Sequence, residues 1–376
     1  MKLAKVWPET WLNQSLKRIN LSVVGRKRTS PVTSPVTNLA TELLHMLSKW
    51  YARDYVTARD SFRKNAANAN GELFALPLNE LGTQGEELSI DIAWLGSKQP
   101  SHVMLHLSGV HGVEGFVGSA IQCQLLSNSP PIPDNHAIVF VHAINPWGMA
   151  WLRRFNESNV DLNRNFLASD EQYVGAPDGY AQLDALLNPK SVPGWFDLFF
   201  VRCLFSIMQH GFASLKQTVA CGQYEYPEGL FFGGKQLEAS ACLLVEWIRD
   251  NLSCAERIFT IDIHSGLGKF SEAALLVSCD RSSQECTVLV DRFGKQVQPL
   301  SKEGVAYSIR GMFMDGLTAV LPDAHWTSMG QEFGTYSPLR VLKALRDENW
   351  FHHYGENVTV DHVLSKNSSD VKLERS

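Results

Sequence analysis

"HVMLHLSGVHGVEGFVGSAIQCQLLSN", residues 102–128, begins as an apolar run, turns into a loop punctuated by glycine, and continues with helical spacing. The run at 102–109 has the composition of a central strand. Residues 114–128 repeat their apolar positions as a helix does. The next apolar stretch, "AIVFVHAIN" at 137–145, reads as another strand. Strand, loop, helix, strand is the building unit of an α/β sheet. Working outward, "ELSIDIAWLG" (87–96), "RIFTIDIH" (257–264), "AALLVSC" (273–279) and "GVAYSIRG" (304–311) read as further strands. Residues 39–68, 235–252 and 337–353 carry helical patterns, the first as two short helices. The expectation is a mixed, mostly parallel twisted sheet flanked by helices on both faces. Residues 167–235, rich in Pro, Gly and aromatics, are harder to read.

The 376 residues are 44% hydrophobic and carry a formal charge of −5, which gives no global affinity for nucleic acid. Seven dispersed cysteines without a C-x-x-C pair fit reduced, buried thiols, and no apolar run is long enough to span a bilayer. The chain is expected to be soluble and cytoplasmic. Residues 1–38 differ in composition. Lys2, Lys5, Lys17, Arg18, Arg26, Lys27 and Arg28 face a single acid, Glu9, and the repeat "SPVTSPVT" follows. Trp7, Trp11, Leu12, Leu16 and Ile19 could line one helix face, so contact with a membrane surface and a transit peptide are both open readings. The plain reading is a flexible extension and linker. Residues 39–365 are then one globular domain and 366–376 a polar tail.

Sites in such sheets lie beyond the carboxyl ends of the strands. The strand at 102–109 runs into His111 and Glu114, and the strand at 257–263 ends on His264. Two imidazoles and one carboxylate suit a catalytic zinc with an open position. His-x-x-Glu alone is a weak signal, and the third candidate at another strand end strengthens it. The glycines are expected to let the loop turn sharply and let a substrate lie close. Phosphate binding is disfavoured, because the glycines fall at 109, 112, 115 and 118, not as G-x-G-x-x-G, and the Lys-Ser/Thr of a P-loop is missing. No G-x-S-x-G elbow is present.

Four stretches in order, "GVHGVEGFVG" (109–118), "NPWGMAWLRRFNESNVDLNRNF" (145–166), "DIHSGLG" (262–268) and "QEFGTY" (331–336), resemble zinc carboxypeptidases of the M14 type, in particular the branch known as the DUF2817 family. The resemblance implies one zinc held by His111, Glu114 and His264, with Asp161 hydrogen-bonded to the first histidine. It implies that Asn163 and Arg164 hold a substrate carboxylate, that Glu332 is the general base, and that Arg154, preferred over Arg153, stabilises the oxyanion. A catalytic tyrosine has two candidates, Tyr307 and Tyr336. "GQYEYPEGLFFGG" (222–234) suits a loop lining the cleft. The implied activity is hydrolysis of an amide bond beside a free carboxylate, in a small peptide or an N-acyl amino acid. The alternatives are an N-acyl amino acid deacylase, as in the aspartoacylase and desuccinylase relatives, and a non-catalytic zinc-containing binding protein.

Overall fold

The computed structural model describes residues 49–355, apart from 130, 195–196, 269, 271, 278, 280–281 and 300–308. The extension at 1–38, the tail at 366–376, Tyr307 and most of the strand expected at 304–311 lie outside the described residues. So does the first of the two helices expected at 39–68.

The elements are α1 (Tyr55–Asn68), β1 (Glu72–Leu81), β2 (Glu87–Gly96), β3 (His102–Ser108), α2 (Gly115–Leu126), β4 (His136–His142) and α3 (Pro146–Ala150). Then come α4 (Tyr180–Leu187), α5 (Phe199–His210), α6 (Phe212–Ala220), α7 (Ala239–Asn251), β5 (Arg257–Gly266) and β6 (Ala273–Val277). The last are α8 (Gln284–Phe293), β7 (Val297–Pro299), α9 (Phe313–Thr318), β8 (His325–Gly334) and α10 (Pro338–Tyr354). The described strands form one sheet in the order β1-β2-β4-β3-β5-β8-β6-β7. Its centre, β4-β3-β5-β8, is parallel, while β1, β2 and β6 pair antiparallel with their inner neighbours. The mixed, mostly parallel sheet expected from the pattern is what forms.

Side chains alternate across the sheet, so each central strand feeds two cores. Val103, Leu105, Leu107, Val139 and Val141 pack with Leu244 and Ile248 of α7. Met104, Ile138, Phe140, Ile261 and Ile263 pack with Leu125 of α2 and Leu289 of α8. This two-sided burial is why these strands read as continuous apolar runs. Two strands are less legible. β1 carries Pro77 beside a shift of register, tolerable because β1 is at the edge. β8 buries Thr327, Met329 and Gln331, so its inward side is mostly polar. The middle segment folds into α4, α5 and α6 around a separate cluster that includes Tyr180, Leu186, Phe199 and Leu230, with Leu339, Leu342 and Leu345 of α10 packed on it.

From β3 the chain passes to β4 on one side, and it later supplies β5 on the other. A crevice opens at such a reversal, beyond the carboxyl ends of the strands. Gly109 (φ +75°) makes the expected sharp turn there. Gly112 serves a different purpose from the one expected, because its missing side chain makes room for the protein itself. A Cβ at Gly112 would stand 2.1 Å from the carbonyl carbon of Gly148, and the amides of Gly112 and Val113 donate to the carbonyls of Arg154 and Arg153 at 3.2 and 2.9 Å. The loop is thus strapped to the turn that follows β4. Gly112→Ala is expected to destabilise the protein by about 1–3 kcal/mol through overpacking. Denaturant unfolding measures it, and an unchanged midpoint would mean that the two loops can part freely.

Candidate metal centre

The turn at Gly109 leads to His111, and a single 3₁₀ turn, Gly112–Glu114, carries Glu114 back beside it. His111 Nδ1 lies 3.0 Å from Glu114 Oε1. Parallel pairing sets Ser108 of β3 opposite Ile263 of β5, so His264 emerges level with this loop. Its Nδ1 lies 3.3 Å from His111 Nδ1 and 3.6 Å from Glu114 Oε2. All three residues are buried, with one ligand atom from each inside a 4.8 Å group. Two imidazole nitrogens on one tetrahedral zinc at roughly 2.0–2.1 Å stand about 3.3 Å apart, so the donor set fits that ion.

Each ring is held from behind. His111 Nε2 faces Asp161 Oδ1 at 3.2 Å, and His264 Nε2 faces Asp262 Oδ2 at 2.6 Å. A carboxylate there keeps the hydrogen on Nε2 and leaves Nδ1 bare for a metal. Asp161 also accepts from the Asn163 amide at 3.0 Å, so it caps the following turn as well as holding the histidine. Asp262 was not foreseen. Its signal was available, since Asp262 and His264 sit two apart in a strand and share a face.

The charges are strongly coupled. Burial raises the Asp161 carboxyl, but Arg154, Arg164 and His111 outweigh it and hold it well below the ordinary range. Burial likewise raises Glu114, and His111, His264 and Arg154 more than reverse it. Burial lowers His264, yet Asp262 and Glu114 lift it well above the usual imidazole value. Glu332 pairs with His264 across β5 and β8, which places both side chains on one face. Burial pushes the Glu332 carboxyl up to about 7, and its Oε2 is buried without a hydrogen-bond partner.

The two adjacent arginines separate cleanly. Arg153 turns away, pairing with Glu348 Oε1 at 2.5 Å and donating to Asn159 and Asn349. Arg154 turns to the centre, donating through Nε to Asp161 Oδ2 (3.1 Å) and through Nη1 to Glu114 Oε1 (3.3 Å), with Nη2 2.7 Å from His111 Nε2. Arg164 is 1% exposed. It donates to the carbonyls of Ala220 (2.9 and 2.7 Å) and Asn163 (2.7 Å), and among the described residues no carboxylate is hydrogen-bonded to it. Asn163 accepts from the Phe313 amide through its side-chain oxygen at 3.0 Å, and among the described residues its NH₂ has no hydrogen-bond partner. Tyr336 follows β8 and is half-buried.

The segment 222–234 supplies one residue that sequence reasoning left without a role. The Phe231 ring lies 5.5 Å from the guanidinium carbon of Arg154 and 5.4 Å from that of Arg164. It is nearly buried and has a left-handed backbone (φ +57°), which an aromatic residue adopts only when its surroundings impose it. No signal in "GLFFGG" marks which Phe does this.

Fold and site together define an α/β protein with a buried two-histidine, one-carboxylate centre at the reversal point of its sheet. The chain belongs to the DUF2817 family, described as "protein of unknown function", whose model matches residues 51–371. No curated protein matches it. Among solved structures it is similar to carboxypeptidase A from Helicoverpa armigera, at 14% identity over 84% of this chain and 78% of that one, with a TM-score of 0.45. It is similar to murein-tripeptide amidase MpaA from Escherichia coli O157, at 18% identity over 74% and 92%, with a TM-score of 0.36. A putative succinylglutamate desuccinylase/aspartoacylase from Shewanella frigidimarina NCIMB 400 is 16% identical over 76% and 72%, with a TM-score of 0.37.

Protein purified without added metal is expected to take up one zinc, measured by elemental analysis, and His264→Ala to take up little or none. Asp262→Ala should weaken zinc binding by about 10–100-fold, as loss of a histidine's supporting partner does. Full occupancy of His264→Ala, or an unchanged zinc affinity of Asp262→Ala in a chelator competition, would remove that residue from the scheme. Because His264 and Glu332 both hold protons more firmly than usual in the metal-free site, zinc uptake should release protons, and affinity should fall as pH drops through 7.

Proposed function

We propose that this protein is a zinc-dependent, carboxypeptidase-like hydrolase that cleaves an amide bond adjacent to a free carboxylate. The observation that carries the reading is the pair of Nδ1 atoms 3.3 Å apart beside Glu114, with the partnerless Glu332 oxygen on the next strand. A binding protein that kept a metal would have no use for that carboxylate.

His111, Glu114 and His264 would hold the ion, and zinc in such a set lowers the pKa of water in its open position to about 7 and polarises a carbonyl. Glu332, raised toward neutrality by burial, takes a proton from the attacking water and passes it to the leaving nitrogen. Arg154 and Asp161 compete for His111 Nε2 through different tautomers. Arginine can donate only to a bare Nε2, whereas an Nδ1 offered to a metal leaves the hydrogen on Nε2 and makes Asp161 its acceptor. With the hydrogen on His111 Nε2, Arg154 Nη2 would no longer donate to that ring and would stabilise a developing oxyanion, while Nε and Nη1 stay on Asp161 and Glu114. Arg164, buried with no carboxylate hydrogen-bonded to it, and the free NH₂ of Asn163 would receive the substrate carboxylate.

Glu332→Gln keeps the shape but cannot accept a proton, so kcat should fall by about 10²–10⁴-fold while KM changes little. Its zinc content should equal that of the wild type. A Gln variant that lost zinc would make Glu332 a ligand, and one that kept full activity would place the base elsewhere. Arg164→Ala should cost about 2–5 kcal/mol in kcat/KM on C-terminal peptides or N-acyl amino acids. Substrates amidated at that carboxylate should be poor for the wild type and insensitive to the change. Equal turnover of free and amidated substrates would refute the clamp.

A further inference from the structure

One element of the middle segment has no part in the centre. α5 is strongly amphipathic: Arg202, Ser206, Gln209 and His210 gather on one side by helical spacing, and large apolar residues fill most of the rest. Only one side is covered. Phe199 and Cys203 are buried in the cluster with α4, α6 and α10. The other side presents Phe200, Val201, Leu204, Phe205 and Met208, and Phe212 extends it past Gly211, at exposures between 46% and 78%. Five large exposed apolar side chains on one side of α5, with Phe212 next to it in the chain, exceed what the surface of a soluble monomer ordinarily carries and mark an interaction face.

The charge around this face indicates what covers it. No Asp or Glu occurs between Asp197 and Glu225, in a chain whose net charge is −5, while Arg202, His210 and Lys216 all fall in that interval. A second copy would set this acid-free stretch against itself, and Asp197 at its border is already paired with Arg202 (3.5 Å) and Arg346 (2.6 Å). An anionic lipid surface supplies the apolar layer and the negative charge together. The 12-residue helix is about 18 Å long, too short for a hydrocarbon core of about 30 Å. Among the described residues no helix is long and apolar enough to cross a membrane. The geometry is therefore that of a helix lying in the interface plane, with its aromatic side in the acyl boundary. The basic residues and tryptophans of 1–28 carry the same chemistry in the sequence.

We propose that α5 is an interfacial helix that holds this protein against an anionic membrane surface. α6 leads directly from that face to Ala220, whose carbonyl receives Arg164, so the attached face and the centre are joined by one helix. The proposal does not depend on the hydrolase reading, and its test uses no turnover.

The full chain would be co-sedimented with vesicles of phosphatidylcholine alone and of phosphatidylcholine with phosphatidylglycerol. Binding to the anionic vesicles, weakened by salt, is expected. Phe205→Asp combined with Met208→Asp should reduce it at least about tenfold, given the apolar area the two side chains would bury. Circular dichroism and zinc content should be unchanged. Should the double variant fail to fold, Leu204→Gln with Phe205→Gln makes the same test without added charge. Absence of binding by the wild type overturns the proposal, and so does binding that survives in a folded variant. A wild-type dimer that becomes monomeric in the variant while vesicle binding is unaffected overturns it in favour of a second copy.

Discussion

The level alignment of three parallel strand ends governs everything else at the centre. β3, β5 and β8 pair so that Ser108 stands opposite Ile263 and His264 opposite Glu332. A slip of one residue in either pairing would turn the polar side chain to the other face of the sheet. The register is fixed by burial on both sides, because Leu105, Leu107, Ile261, Ile263 and Met329 are all buried and cannot be exchanged with their polar neighbours. The hydrophobic cores thus determine where the imidazoles sit. The loop after β3 needs only to turn at Gly109 and lean on Gly148 to bring His111 and Glu114 to meet them.

This alignment concentrates charge in a buried place, and the cost must be offset locally. Glu114, Asp161, Asp262 and Glu332 are four carboxylates, and Arg154 and Arg164 are the two guanidinium groups set among them. With every acid ionised, the cluster holds two negative charges too many. The groups shift to match: against the lowering effect of burial, Asp262 and Glu114 lift His264 well above the usual imidazole value, and burial pushes the Glu332 carboxyl up to about 7. Two protons and one divalent cation are alternative ways of balancing the same cluster. The same account explains why Asp161 remains an anion although it is wholly buried.

Legibility in the sequence followed burial and spacing. β2, β3, β4, β5, α2, α7 and α10 were readable because each is buried in a regular pattern that its residues repeat. β8 was not, because Thr327 and Gln331 take inward positions that a pattern reader assigns to apolar residues. The helices α4 to α6 were not, because α5 turns a large apolar side outward, so its pattern does not mark which side is buried. In the centre, His111, Glu114 and His264 were legible because each lies at or just past a strand end. Arg153 and Arg154 are indistinguishable as neighbours in sequence. What separates them is Glu348 on α10, 195 residues away, which draws Arg153 out of the centre.

Phe231 shows why part of the site could not be read at all. Its role depends on position between two cations, and nothing local in the chain encodes that. The strained conformation persists because its neighbours fix it from both sides. The Gln223 amide donates to the Phe231 carbonyl at 3.1 Å, the Gly233 amide to the Gln223 carbonyl at 2.8 Å, and the Asp161 amide to the Phe232 carbonyl at 2.8 Å. The last of these ties the segment to the residue that holds His111. A ring with a guanidinium about 5.5 Å away on Arg154 and another on Arg164 keeps like charges apart and offers its π electrons to both. The ring thus packs between the guanidinium beside His111 and Glu114 and the buried one of Arg164, and the left-handed backbone at Phe231 is the local cost of placing it there.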